Sequence, residues 1–573
     1  MIRFLINFTV DPSLEKSGAF FVTKPDSLKQ IALNPHLDLF VWGDPISTKN
    51  IPGFAAGIAD EAAIHNLLKS IPGHFYYLLF DKNLQAFSAG NSLFGILPLY
   101  YAAADQALIL SDDPLEIAKH IGNRKINKRF ILENILFNYP LTNQSCVVGI
   151  HLLPANSFIH YTHGTSKICK HTCMENYYSA RPRAWKKSLH ELSDLFIERS
   201  EKYFPDEISL ISLTGGFDGR TLTACGLMHK KSIATYSFGS DESEDVQIAS
   251  KLSAQANIPF HCLALNEAYV KNDSLSAGLE FIDKAAGTAA FARAHYLYAV
   301  KKLTKLTPFI VTGNFGSEIF RTAHSAGPVI NHNLYSFFNS KNCDEAIAGI
   351  KNSTEFDWLN KDAFKNEWDA LIEDLRQLPR FNRKYDDLST NQRFYITVFE
   401  EILRKYFGAE MVNQFYYLNN RTPFLDFEFF IRILQTELSG VYSGFYEQNP
   451  IKRFKGQILY SHIIRKAWPS FGKNMTDKGY CPDDLQGMAG KIRIAKAYFN
   501  KKYFRKGRNS YDPYAVQSAF RYNSSFFKSI RLDKELFNLR AFGEAFEQVN
   551  MSNGFFIGLS QAFYYNKLRD NLQ

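Results

Sequence analysis

The chain has 573 residues, of which 46% are apolar, 15% aromatic and 21% charged, and its net charge is +9. This length predicts two or three domains with large cores, and it excludes a small disulfide-stabilised module. The opening run "MIRFLINFTV" ends at Asp11 without a small-residue cleavage site. We therefore expect neither a signal peptide nor, since no stretch approaches about 18 apolar residues, a membrane span. Seven cysteines, an odd number in a long chain, favour reduced thiols and a cytoplasmic protein.

The first part of the chain, to about residue 178, is predicted to be rich in β-strands. Short apolar or alternating runs lie at 74–81, 97–103, 107–112 and 157–163, and turn-forming residues separate them. A polar and basic stretch over 176–190 is predicted to be a linker.

From residue 190 onward, strands alternate with helices. "ISLISL" (208–213) is a continuous apolar run typical of a strand buried on both faces, and it precedes a helical pattern over 220–231. The predicted elements that follow are a strand at 232–239, a helix at 243–258 opened by a Ser cap, and strands at 260–265 and 308–312. This alternation predicts a doubly wound parallel sheet, whose ligand lies beyond the carboxyl ends of its strands.

Two glycine-bearing turns follow predicted strands, and so fall where that ligand would bind. In "TGGFDG" (214–219), small residues allow backbone N–H groups to approach an anion, and the next helix adds its positive end. Asp218 would repel a phosphate directly but suits the Mg²⁺ that accompanies a nucleotide. The segment matches neither GxxxxGK[ST] nor GxGxxG, and an ordinary tight turn is the alternative.

The segment "LTGGFDGR" (213–220) resembles the Ser-Gly-Gly-x-Asp-Ser pyrophosphate loop of the asparagine synthetase family, which cleaves ATP between its α and β phosphates. Other segments follow in the family's order: "VTGNFGSEIF" (311–320), "NNRTPFLD" (419–426) and "DKGY" (477–480), the last resembling a Lys-x-Gly-Phe that carries a catalytic lysine. Upstream, 71–81, 91–101 and 149–161 resemble the glutamine amidotransferase domain of these enzymes.

The resemblance implies an α/β multidomain protein. Residues 1–178 would form an Ntn-hydrolase-like αββα sandwich, and 190–485 a doubly wound parallel-sheet ATP-pyrophosphatase domain with added helices. Residues 486–573 would be a basic, aromatic-rich helical extension, with 15 Lys/Arg against 6 Asp/Glu. A basic segment attracts an acidic peptide or a nucleic acid, but a solvated basic face over an aromatic core is the favoured interpretation.

The same resemblance assigns site residues, with ATP and Mg²⁺ as the implied cofactors. Lys478 would stabilise charge on the pyrophosphate or the tetrahedral intermediate, and Asn314 would contact the activated acyl group. Arg220 would reach phosphate or pair with Asp218, with a plain surface arginine as the alternative. The magnesium ligands would be Asp218 and Glu318. The nucleotide would be bound by Leu213, Thr214, Gly215, Gly216, Asp218, Gly219, Phe238, Gly239, Thr312 and Gly313.

Several positions depart from the family pattern. Ile2 stands where the family has the cysteine nucleophile of its glutaminase, so we expect the first domain not to hydrolyse glutamine. Ser317 replaces the usual second magnesium carboxylate, Asn314 replaces a glutamate, and Thr214 and Gly219 replace two serines. On the helical pattern at 399–408, Glu400 or Glu401 could act as a general base, although a solvated helix face is favoured.

The leading hypothesis is an ATP-dependent carbon–nitrogen ligase that adenylates a carboxylate, releases pyrophosphate and lets an amine attack. Relatives without the glutaminase cysteine include β-lactam synthetases and the macrolactam-forming cyclases of lasso peptides, and the basic C-terminal segment favours the peptide cyclase. A leader-peptide-binding protein or a protease would then be a partner, whereas a membrane or nucleic acid is not expected. The alternatives are an amidotransferase that uses ammonia, and an inactive pseudo-enzyme that binds a nucleotide or peptide.

Overall fold

The structure, a computed structural model, describes residues 3–9, 20–46, 61–104, 107–240, 242–320, 330–445, 455–503, 512, 514–548 and 552–572. Its strands are β1 Leu5–Thr9, β2 Phe21–Thr23, β3 Lys29–Ala32, β4 Leu37–Pro45, β5 Gly73–Asp81, β6 Ala86–Asn91, β7 Tyr100–Ala104, β8 Ala107–Ser111, β9 His151–Leu152, β10 Ser157–Thr162, β11 Thr165–Lys170, β12 Ser209–Ser212, β13 Ile233–Gly239, β14 Phe260–Ala264, β15 Phe309–Val311 and β16 Asn419–Arg421.

The helices alternate with these strands and dominate after residue 265. They are α1 Glu61–Leu68, α2 Pro114–His120, α3 Lys128–Phe137, α4 Trp185–Ser200, α5 Asp218–Met228, α6 Glu244–Gln255, α7 Glu267–Asn272, α8 Ser274–Lys284, α9 Ala294–Leu303, α10 Gly316–Phe320, α11 His332–Asn339, α12 Cys343–Lys351, α13 Lys365–Gln377, α14 Thr390–Thr397, α15 Gly408–Phe415, α16 Phe427–Ile433, α17 Lys455–Ala467, α18 Pro469–Gly472, α19 Met488–Tyr503, α20 Val516–Tyr522, α21 Ser524–Ser529, α22 Leu539–Phe546 and α23 Asn553–Leu572, with a π-helix at Val398–Phe407 between α14 and α15.

The first 170 residues contribute two antiparallel sheets, ordered β2-β1-β8-β7-β9 and β11-β10-β6-β5-β4-β3. The sheets share an aromatic core, in which the Phe8 ring stacks on Phe87 at 3.8 Å and Phe4 meets Trp42 edge to face at 4.8 Å. Helix α1 covers the other face of the second sheet, and α2 packs on β7 and β8. Both faces of the central strand β5 are buried, and its sequence is therefore a near-continuous apolar run.

The third sheet is entirely parallel, in the order β14-β13-β12-β15-β16. The chain runs outward from β12 to β14 and then returns to the other side of β12 through β15 and β16. This is the strand order of a doubly wound sheet, and its direction reverses between β12 and β15. The predicted parallel sheet is confirmed, and the Ser243 side chain caps α6 by accepting a hydrogen bond from the Val246 amide.

Three boundaries differ from the predictions. The predicted linker over 176–190 is shorter than expected, because α4 already begins at Trp185. The strand expected at 97–103 begins at Tyr100, since Pro98 lacks the N–H that a ladder requires. The helix predicted over 220–231 ends at Met228, because Lys230 adopts a left-handed φ of 53°. Within the described residues, no helix combines the length and apolarity that a membrane crossing requires.

Candidate functional site

The candidate site lies where the parallel sheet reverses direction. β12 and β15 are neighbours, with Leu210 opposite Ile310 and Ile211 opposite Val311. The two glycine-bearing loops, 213–217 and 312–315, leave the carboxyl ends of these two strands, so they emerge side by side. Ligands of open α/β sheets bind in the crevice that such a reversal opens. The topology thus brings together two segments that are about a hundred residues apart in the sequence.

The first loop is held by interactions that the sequence did not indicate. The Gly215 amide donates to the Asp245 carboxylate at 2.9 Å, and the Gly216 amide donates to the Thr214 hydroxyl at 3.3 Å. Both amides of the Gly-Gly pair therefore have protein partners, and an arriving phosphate would have to displace an oxygen from them. Thr214, Gly216 and Asp218 are partly exposed, whereas the intervening residues are buried.

Close packing explains why position 219 is a glycine. A Cβ atom at this position would lie 2.0 Å from the Ser212 carbonyl oxygen, where α5 starts against the end of β12. No side chain fits there without moving the helix away from the strand. Its difference from the family's serine therefore reflects close packing of α5 rather than the loss of a ligand.

The second loop touches the first at Asp218. A Cβ at Gly313 would lie 2.5 Å from the Asp218 Cβ, so only glycine permits this approach. The Ser317 hydroxyl donates to one Asp218 carboxylate oxygen at 2.9 Å, and the Tyr460 hydroxyl donates to the other. Tyr460, which is buried on α17, was not predicted, because it lies 242 residues from Asp218 and no local pattern marks it.

The oxygen ligands around Asp218 fit a magnesium ion that arrives with a nucleotide. Mg²⁺ usually retains several waters and takes only one or two carboxylates together with substrate phosphates. The carboxylate of Asp218 and the hydroxyl of Ser317 are ligands of this hard type. Glu318, the other predicted ligand, lies close enough to Tyr406 for its charge to raise the pKa of that phenol. Among the described residues, no group of three or more His, Cys, Asp or Glu is arranged to hold a metal by itself.

Lys478 lies at the first loop, although it comes from a turn that is distant in the sequence. The turn is closed by hydrogen bonds from Thr476 to Tyr480, and Gly479 supports it with a left-handed φ of 83°. The Lys478 ammonium sits 5.0 Å from the centre of the Phe217 ring and 3.9 Å from the Asp477 carboxylate. The turn is thereby placed directly over the first loop.

The turn nevertheless departs from the family pattern in register. In Lys-x-Gly-Phe the lysine stands two residues before the glycine, and here that position is Asp477, with Lys478 adjacent to the glycine. The Asp477 amide donates to the Gly215 carbonyl at 3.2 Å. The carboxylates of Asp218, Asp245 and Asp477 therefore surround the loop together with one lysine from the turn. This surplus of negative charge favours a cation, and it weakens binding of a phosphate alone.

Arg220 does not make the predicted contact with Asp218. Its side chain is fully buried, and its guanidinium donates to the carbonyls of Phe471, Asn474 and Met475 at 2.7–3.2 Å. Burial lowers its pKa to about 10. Because these carbonyls lead directly into the 476–480 turn, Arg220 positions that turn. The alternative interpretation, a surface arginine, is also wrong.

Asn314 borders a buried polar network under the second loop. Its side-chain amide lies beside the Glu410 carboxylate and hydrogen-bonds to it. Glu410 accepts from Arg293 at 3.1 Å and from Gln414 at 2.9 Å. Burial raises the Glu410 pKa, against the opposing effect of Arg293. A buried carboxylate with a raised pKa beside such a loop is a feature typical of functional sites.

Phe315 carries backbone strain in the second loop. Its φ is 74°, a left-handed value that disfavours residues with a Cβ, and the family pattern has glycine at this place. The ring is fully buried and packs edge to face on Phe407 at 4.9 Å. The burial of an aromatic ring offsets the strain of the turn.

Phe238 and Gly239, predicted to border the nucleotide, lie at the carboxyl end of β13. The Phe238 ring contacts His295 at 5.1 Å and Tyr514 at 5.9 Å, and Tyr514 stacks on His295 at 4.5 Å. Both ring nitrogens of His295 are buried without a described hydrogen-bond partner, and burial lowers its pKa to about 3. A neutral aromatic cluster therefore closes this end of the crevice.

Two further predicted segments have architectural roles. In "NNRTPFLD", Arg421 pairs with Asp44 of the second sheet at 2.7 Å, and Asp426 accepts from Arg199. Glu400 pairs with Lys170 at 2.7 Å, and Glu401 pairs with Lys405, so neither lies on the solvated helix face that was favoured. The Arg421–Asp44 and Glu400–Lys170 pairs join the β-rich part of the chain to the parallel sheet and to the helices around it.

Comparison of the chain with protein-family models gives no match, and comparison with curated proteins gives none either. The case for a function therefore depends on the residues and their arrangement.

Proposed function

We propose that this protein is an ATP-dependent carbon–nitrogen ligase that forms AMP and pyrophosphate. One observation carries the proposal: three segments that resemble one family's nucleotide-site motifs converge at a single crevice. Asp218 of the first loop contacts Gly313 and Ser317 of the second, while Lys478 lies over Phe217. Such convergence of chain-distant motifs at a sheet reversal is expected of a nucleotide site and has no evident structural purpose.

In this mechanism the protein mainly binds, orients and shields the reactants. Asp218 would hold magnesium, which when bound supplies charge neutralisation for the phosphates. Lys478 would stabilise negative charge that develops on the phosphates, which is worth several kcal/mol in a water-poor site. Asn314 would contact the carboxylate being activated, and Glu410 beside it could accept a proton from the attacking amine.

The finer assignments belong to the same proposal. The two antiparallel sheets with flanking helices support an Ntn-hydrolase-like sandwich that lacks its nucleophile, since Ile2, which lies outside the described residues, replaces the cysteine. The parallel sheet supports an ATP-pyrophosphatase domain. A peptide is the favoured carboxylate-bearing substrate, and macrolactam formation is the favoured reaction.

ATP–pyrophosphate exchange tests the proposal. We expect exchange that depends on Mg²⁺ and on a carboxylate or peptide substrate, and that is lost in Asp218→Ala. A matched control is Asp206→Ala, because Asp206 is an exposed carboxylate before β12. Exchange that survives Asp218→Ala, or no exchange with any substrate, would refute the proposal.

A second candidate, nucleotide binding without turnover, is favoured by the occupied amides of Gly215 and Gly216 and by Asp477 at the lysine position. Tight ATP binding in calorimetry together with absent exchange would select it. Activity with ammonium and a free acid, but none with a peptide, would instead select the ammonia-using amidotransferase.

A further inference from the structure

Helix α19 (Met488–Tyr503) packs against the rest of the protein through one face. Ile494 is buried, and a Cβ at Gly490 would lie 2.0 Å from the Asp484 carbonyl oxygen. Arg493 pairs with the Asp484 carboxylate on the same side. The helix also reaches the candidate site, because a Cβ at Gly479, next to Lys478, would lie 3.5 Å from the Ala497 Cβ.

The opposite face of α19 exposes an apolar stripe. Met488 is 76% exposed and Ile492 is 73% exposed, the two highest values for large apolar side chains among the described residues. Phe499 is 54% exposed, and Ala495 between them is also exposed. Because residues three and four apart share one side of a helix, these positions form a single row that points to solvent. An exposed apolar row of this kind marks an interaction surface.

The row is bordered by positive charge. Lys491 and Lys496 are exposed and lie on either side of the row by helical spacing. The sequence of α19 contains no Asp or Glu, and its basic residues are Lys491, Arg493, Lys496, Lys501 and Lys502. An apolar row between cations is complementary to a helix that has apolar residues on one side and carboxylates at its borders.

We propose that the row of Met488, Ile492 and Phe499 binds an acidic amphipathic segment of the peptide substrate, outside the segment that is chemically modified. This inference rests on the proposed function, since it assigns α19 as the docking helix for that substrate. The position of α19 favours a peptide over an anionic membrane. The helix packs on the turn that carries Lys478 through its other face, so a segment bound along the row lies one helix diameter, about 10 Å, from that turn.

Binding can be measured without turnover, using the full chain and no ATP. The probe is a fluorescein-labelled peptide of about 15 residues, or roughly four helical turns, with leucines on one side and glutamates at their borders. The comparison probe has every glutamate replaced by lysine. We expect fluorescence anisotropy to show binding of the acidic probe, weakening as salt rises, and at least tenfold weaker binding of the basic probe.

Matched variants locate the binding surface. Ile492→Glu and the double change Lys491→Glu/Lys496→Glu should each weaken the acidic probe at least tenfold. Leu84→Glu and Lys305→Glu change an exposed leucine and an exposed lysine elsewhere, and they should leave binding unchanged. Because all these side chains are exposed, thermal unfolding midpoints should stay within a few degrees, which separates loss of docking from loss of folding.

Equal affinity for the two probes, or binding unaffected by Ile492→Glu, would overturn the proposal. A third outcome would overturn the proposal in favour of a membrane surface. In that case the protein sediments with phosphatidylserine-containing vesicles, Ile492→Glu abolishes this sedimentation, and the acidic probe does not bind. Probe binding with absent pyrophosphate exchange would refute the ligase while supporting α19 as a peptide-docking helix. Pyrophosphate exchange without probe binding would support the ligase and refute α19 as a peptide-docking helix.

Discussion

Gly313 and Asp218 are in van der Waals contact across the sheet reversal, and a Cβ on Gly313 would come within 2.5 Å of the Asp218 Cβ. This contact joins the two glycine-bearing loops and sets the position of the carboxylate that the proposed nucleotide chemistry requires. Neither neighbour can retreat, because Asp218 begins α5 and Gly313 lies two residues after the end of β15.

The first prediction concerns this contact. Gly313→Ala should displace Asp218 and lower the pyrophosphate exchange rate at least tenfold, because misplacement of a catalytic group by even an ångström is costly. Gly349→Ala is the matched control, since a Cβ at this position in α12 meets nothing within 4 Å. It should be neutral for activity and stabilise the fold by up to about 1 kcal/mol. Equal activity of the two variants would contradict the role of the contact.

The second prediction concerns Ser317, which donates to Asp218 at 2.9 Å. Ser317→Asp places a second carboxylate there, so the metal-free protein should lose about 1–3 kcal/mol of unfolding free energy by charge repulsion. Added Mg²⁺ should recover this loss, and the magnesium-dependent rise in melting temperature should exceed that of the wild type. Ser317→Asn, which has a similar size but no charge, controls for the added atoms. If the magnesium-dependent rise in melting temperature is equal in Ser317→Asp and Ser317→Asn, this would argue against a cation at Asp218.

The third prediction uses the strained backbone of Phe315. Phe315→Ala should lose about 3–5 kcal/mol through the cavity left beside Phe407. Phe315→Gly loses the same contacts but relieves about 1 kcal/mol of strain at φ 74°. The glycine variant should therefore be at least as stable as the alanine variant, which reverses the usual order of these residues. Chemical denaturation of both variants measures which one has the higher free energy of unfolding, provided that their m-values are equal.

The fourth prediction concerns pH and Asp112, whose pKa burial raises to about 7. Its Oδ1 accepts from the Phe4 amide at 3.2 Å, while Oδ2 is buried without a described hydrogen-bond partner. The folded state binds the Asp112 proton more tightly than the unfolded state does. Protonation of Asp112 therefore adds to the free energy of unfolding at low pH. This contribution is lost as the pH rises through about 7.

Unfolding free energy should accordingly fall by about 1–2 kcal/mol between pH 5.5 and pH 8. Asp112→Asn keeps an oxygen for the Phe4 amide but removes the titration, so it should remove that part of the pH dependence. A pH profile that is identical in the variant and the wild type would show that another group is responsible.

Local patterns in the sequence were sufficient to predict four strands of the parallel sheet, whereas its edge strand β16 (Asn419–Arg421) was not predicted. The apolar run at 208–213, the capped helix after Ser243 and the glycine turns at 214–216 and 313 all depend on interactions within a few residues. The same is true of the β-rich character of the first part of the chain, since continuous apolar runs follow directly from burial of both sheet faces.

The surroundings of the site could not be inferred in this way. Tyr460, Asp245 and Glu410 approach the loops from distant helices, and nothing in their own neighbourhoods distinguishes them from core or surface residues. Arg220 lies one helical position beyond the loop, and only the packing of 471–475 over α5 shows that it faces the interior. The sequence alone therefore determined which strands and turns form, because these depend on short-range sterics and hydrogen bonds. The tertiary structure alone decided which side chains meet at Asp218, because such contacts depend on how distant elements pack.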